Sequence, residues 1–187
     1  MSTGTLLAII IPSAVVLIAL VVGLWMFFRH RRLQREFGTE YERVLDETGG
    51  TLAADRELRS RQQRHDDLDL RDLPADTRRQ YAEAWTRVQE HFVDQPDEAV
   101  DEADALVTRV MRERGYPTEG YEQRVRDLSV EHGRTLEHYR SAHEVHERQT
   151  QGRATTEELR GAMVHYRALF DELLVPAGPA GRNDTRE

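Results

Sequence analysis

Between Leu6 and Phe28 the chain runs for 23 residues without a charged side chain, and fifteen of these are Leu, Ile, Val or Phe. At 1.5 Å per residue a helix of that length spans roughly 35 Å, enough to cross a ~30 Å hydrocarbon core with some tilt. Pro12 falls in the first two turns, where a lost backbone hydrogen bond matters least. Trp25 sits near the inner end, where an indole ring rests well among headgroups. A cleaved signal peptide fits less well: there is no positive n-region, the apolar run is too long, and arginines follow it in place of a small-residue cleavage site. The sequence therefore predicts a transmembrane anchor over residues 1–28.

The next residues set its direction. Arg29, Arg31, Arg32 and Arg35 form a basic collar with no acid among them. Cationic residues stay on the cytoplasmic side of a bilayer. The expectation is a single-pass protein of the cell (plasma) membrane, N-terminus outside and C-terminal domain cytoplasmic. Ala19 and Gly23 form a small-xxx-small pair that lets two such helices approach closely, so a homodimer is one expected partnership.

Of the 26 basic residues, all arginine, the collar takes four; the remaining 22 face all 34 acids, a balance of −12. Such an acidic body does not neutralise phosphates, which excludes nucleic acid as the main partner. The expected partners are the lipid bilayer and another protein at the membrane. Without cysteine there are no disulfides, thiolate nucleophiles or thiolate metal sites.

Beyond the anchor the periodicity is helical throughout. The fold class expected is all-α: the transmembrane helix, a juxtamembrane helix, then an irregular antiparallel helical bundle. Residues 29–50 read as the collar and a juxtamembrane helix with Leu33, Phe37, Tyr41 and Val44/Leu45 on one stripe, ended by Gly49-Gly50. Residues 51–73 read as a polar helix with a weak apolar face at Leu52 and Leu58, followed by an extended connection. In that connection Leu68, Leu70 and Leu73 alternate with polar residues but have no strand to pair with.

Residues 74–175 read as the bundle. Its helices are expected over 75–93 (Tyr81, Trp85, Val88 and Phe92 inward), 96–114 (Ala99 to Met111), 118–131, 134–149 and 155–174. Pro96 suits a first helical turn, Gly115 a stop, and Thr155-Thr156-Glu157-Glu158 a capping box. The tail, 176–187, is polar and rich in Gly and Pro, and is expected to be disordered.

Histidine is the residue whose placement invites chemistry. His132, His138, His143, His146 and His165 lie within 34 residues. His143 and His146 are three apart and share a helix face, with Glu147 four after His143. These three are the weak metal candidates. The di-iron Glu-x-x-His and the zincin His-Glu-x-x-His patterns are missing, and so are a phosphate loop and a nucleophile elbow. No catalytic residue and no cofactor is expected. Asp97, Glu98, Asp101, Glu102 and Asp104 read as the solvated face of one helix.

Three stretches carry a resemblance: Trp85–Pro117 (WTRVQEHFVDQPDEAVDEADALVTRVMRERGYP), Asp127–Val130 (DLSV) with Tyr139–His143, and Thr156–Leu174 (TEELRGAMVHYRALFDELL). They resemble a group of uncharacterised single-pass, membrane-anchored helical proteins of high-GC actinobacteria, often labelled "secreted". The resemblance spans about residues 55 to 174 and implies a helical domain after an anchor. It transfers no site residue. The leading expectation is a membrane-tethered interaction or scaffolding module without catalytic activity. The alternative is a metal- or small-ligand-binding domain, sensor or enzyme, using the histidine-rich helix 134–149 and acids of a neighbouring helix.

Overall fold

Every regular element of the computed structural model is a helix; it describes Phe37 and residues 39–176, and among these there is no strand. The helices are α1 (Thr39–Thr48), α2 (Thr51–Asp66), α3 (Ala75–His91), α4 (Pro96–Arg114), α5 (Tyr121–Glu131), α6 (Gly133–Thr150) and α7 (Thr156–Leu174). No described helix is long and apolar enough to cross a membrane. The expected anchor over 1–28, the collar arginines, Leu33 and the tail beyond Pro176 lie outside the described residues.

The described residues divide into two compact units, one ending at Leu58 and the other beginning at Arg59. In the first, Phe37, Tyr41 and Val44 recur at helical spacing and are all buried. The Tyr41 hydroxyl donates to Asp55 Oδ1 at 3.1 Å, and Gly49, at φ +69°, supplies the left-handed turn between α1 and α2. The apolar face of α2 differs from expectation. Ala54 and Leu58, one turn apart, are buried, whereas Leu52 is 65 % exposed because two residues' rotation carries it to the other side.

The second unit holds the bundle. Side-chain pairings fix the helix directions. His91 meets Glu102 while Tyr81, nearer the start of α3, faces Arg109, Arg112 and Glu113 near the end of α4, so the two helices run antiparallel. Asp101 meets His146, which makes α4 and α6 antiparallel. His132, His138 and Arg148 meet Glu172, His165 and Glu158 in reverse order, so α6 and α7 are antiparallel as well. Between them Trp85 of α3 stacks on Phe170 of α7, ring centroids 4.7 Å apart. Leu106, Leu128, Leu136, Tyr139 and Tyr166 fill the remaining core.

Local signals place the ends. Pro96 opens α4 and Gly115 closes it in the left-handed conformation, φ +97°. At α7 the Thr155 side chain accepts from the Glu158 amide while Glu158 accepts from the Thr155 amide, the reciprocal capping box. Two boundaries move. α3 stops at His91, two residues before the expected end, and α5 begins at Tyr121 because Thr118–Gly120 remains non-helical after Pro117. Residues 69–74, expected to be an extended connection, form neither helix nor strand. The Arg71 amide donates to the Arg114 carbonyl at 3.0 Å, while Leu68, Leu70 and Leu73 pack on the core.

Candidate metal centre

Two helices supply the site. On α4, Asp101 and Asp104 are three residues apart; on antiparallel α6, so are His143 and His146. Both pairs therefore lie one turn apart on facing surfaces. Each of Asp104, His143 and His146 offers one ligand atom, and these three atoms all lie within 4.8 Å of one another.

The hydrogen bonding is asymmetric in a way that suits ligation. His146 Nε2 lies 2.8 Å from Asp101 Oδ1, and His143 Nε2 lies 3.7 Å from Glu147 Oε1. The two Nδ1 atoms are buried with no hydrogen-bond partner among the described residues. A ligating histidine commonly presents one ring nitrogen to the metal and its other N–H to a carboxylate, which fixes the tautomer and raises basicity. Here each ring has a carboxylate beyond Nε2 and an unsatisfied Nδ1. Burial, the largest influence, pushes His143 below the ordinary histidine range despite the opposing pull of Asp104 and Glu147. Its ring is therefore neutral near pH 7, as ligation requires.

The carboxylate is equally held. Tyr166 donates to Asp104 Oδ1 at 3.0 Å, and Arg124 Nη1 lies 3.9 Å from Oδ2. The Arg124 guanidinium donates instead to Thr108 Oγ1 at 2.5 Å. The Tyr121 ring lies flat on His143, centroids 3.7 Å apart and planes 14° from parallel, which limits how that imidazole can turn. Asp101, Asp104 and Glu147 against Arg124 leave a formal charge of −2 before the histidines are counted, a balance that favours a cation.

Two nitrogens and one oxygen suit a borderline ion such as Zn²⁺, leaving further positions for water or another ligand. Ligands 2.0–2.1 Å from a tetrahedral ion stand roughly 3.4 Å apart. Against a present spread of up to 4.8 Å, binding draws the side chains in by at most about 1.4 Å.

Of the weak candidates, His143 and His146 converge, whereas Glu147 stands beyond the Nε2 side of His143 with its side chain 67 % exposed. Asp104 corrects the expectation of a fully solvated acidic face. Its side chain is only 17 % exposed, because its place on α4 turns it toward Arg124 and Tyr166. Nothing in a run of five acids marks it out; only packing of α4 against α6 and α7 does. The other histidines lie elsewhere. His138 and His165 pair on the outer faces of α6 and α7, Nδ1 to Nδ1 2.9 Å, and His132 bonds Glu172.

No family model matches this chain, no curated protein matches its sequence, and no solved structure matches its fold.

Proposed function

We propose that this protein is a membrane-tethered helical domain that binds one divalent transition-metal ion through Asp104, His143 and His146. The observation that carries the reading is the convergence of one ligand atom each from Asp104, His143 and His146 to within 4.8 Å of one another, on two rings whose Nδ1 atoms are buried and unpartnered. The tether rests on the uncharged run Leu6–Phe28, and its cytoplasmic orientation on the collar that follows. A bound ion with a free coordination position suits a sensor or a metal-dependent contact with a membrane partner.

The alternative of a metal-independent interaction module has less to rest on. The exposed large apolar residues among those described are Leu52, Val93, Val164 and Val175, and no helix carries two of them. A partner helix would need several at helical spacing.

The test is metal content and zinc titration of the full-length chain in detergent, beside His143→Gln and His146→Gln. One equivalent of zinc or cobalt, lost in both variants, is the expected result. A wild-type chain that takes up no ion at saturating zinc, or variants that bind as well as it does, would overturn the proposal.

A further inference from the structure

Arg124 is the one cation facing the proposed ligands from α5, and its geometry is unusual for an ion pair. Its Nη1 lies 3.9 Å from Asp104 Oδ2, close enough to neutralise the carboxylate but too far to hydrogen-bond to it. The donor hydrogen goes to Thr108 instead. The guanidinium carbon sits 5.8 Å from the Tyr139 ring centroid, and the whole residue is 9 % exposed. Arg124 therefore contributes charge at the site without hydrogen-bonding to the Asp104 carboxylate.

We propose that Arg124 is a built-in competitor for the metal, a fixed counter-ion that sets the ion concentration at which the Asp104–His143–His146 site fills. The inference rests on the metal-binding reading. Three features support it. A guanidinium does not discharge near neutral pH, so it cannot make way for a cation by losing its proton as a lysine can. Its hold on Thr108 and its burial prevent it from swinging into solvent when an ion arrives. The two cations would then lie within a few ångströms in a poorly hydrated place, where like charges repel much more strongly than in bulk water. Against this stand the carboxylates of Asp101 and Glu147, which keep the site negative even with Arg124 present. The balance predicts a site that fills at elevated ion concentration, as a sensor or exchangeable store requires, and not one that holds its metal permanently.

The experiment compares zinc affinity, by competition with a chromophoric chelator, for the full-length wild type, Arg124→Met, Arg124→Gln and Arg124→Lys in detergent. Loss of the charge is expected to tighten binding at least tenfold in the first two variants, while Arg124→Lys stays near wild type. Should Arg124→Met not fold without metal, Arg124→Gln keeps a donor for Thr108, and the zinc-induced rise in its melting midpoint should exceed that of wild type. If wild type binds zinc and the neutral variants bind it no tighter, Arg124 has no competing role. If wild type and all variants bind nothing, the metal-binding reading falls as well.

Discussion

His132 Nδ1 lies 2.8 Å from Glu172 Oε1, tying the junction of α5 and α6 to the last turn of α7. The Tyr116 hydroxyl donates to Glu131 Oε2 at 2.9 Å beside the same ring. The hydrogen bond from His132, the largest influence, holds the Glu172 carboxyl below its ordinary value, with burial opposing it. A carboxyl depressed in the folded state contributes stability above its ordinary value near 4.5, and that contribution is lost as pH falls through the folded value. Glu172→Gln should therefore lower stability at neutral pH and flatten its decline on the acid side. Urea midpoints over a pH series read this directly; parallel curves for wild type and variant would contradict it.

The Trp85–Phe170 stack joins the first and last helices of the bundle. Phe170 is 1 % exposed, so truncation leaves a cavity that rigid helices on either side cannot close. Phe170→Ala should cost roughly 3–5 kcal/mol of unfolding free energy. Val164, on the same helix but 65 % exposed, is the comparison: Val164→Ala should change stability by no more than about 0.5 kcal/mol. Denaturant melts of both variants check the contrast.

Gly115 does two things at once. It takes φ +97°, and a Cβ built on it collides with the Asp69 carbonyl oxygen. Gly115→Ala must therefore both strain the end of α4 and push away the segment at Asp69–Leu70. The left-handed backbone alone costs about 1–2 kcal/mol for a residue with a Cβ. The local signature is faster exchange of the Arg71 amide, whose hydrogen bond to the Arg114 carbonyl joins the two. Unchanged protection at Arg71 would show that the segment is held by its leucines alone.

The helices were legible because their signals are local. Pro96, Gly115 and the Thr155 capping box act within a turn of where they stand, and Trp85 with Val88, Leu136 with Tyr139, and Met163 with Tyr166 each recur at a spacing that only a helix brings to one side. The centre was legible by half for the same reason. His143 and His146 share a turn of α6, so their spacing shows in the chain. Asp104 and Arg124 come from other helices, and their pairing depends on how α4, α5 and α6 rotate against one another. In α2, where arginine and glutamine dominate, only Leu52 and Leu58 stood out, and alanine's small side chain hid the true inward position at Ala54.

The proposed cytoplasmic orientation is a separate matter and rests on charge alone. With Arg29, Arg31, Arg32 and Arg35 as the cytoplasmic flank, protease added to intact cells should leave the domain uncut, and opening the cells should expose it. Replacing all four with Gln should give a mixture of orientations, read as partial cleavage on intact cells. Complete digestion of the wild-type domain on intact cells would reverse the assignment.

The sharpest test of the proposed metal centre avoids its ligands. Asp101 Oδ1 sits 2.8 Å from His146 Nε2 and is exposed; in the proposed site it would orient and polarise the ring from outside the ligand set. Loss of such an outer partner typically weakens metal binding ten- to a hundredfold. Asp101→Asn should do so while the stoichiometry remains one. The charge change itself is controlled by Glu102→Gln, which removes an equal charge from the next residue of α4, whose carboxylate meets His91 and not His146. If the outer carboxylate acts by holding the imidazole, only Asp101→Asn weakens zinc binding. If the two variants weaken it equally, bulk charge on α4 draws the ion in, and the His146–Asp101 hydrogen bond has no part in coordination.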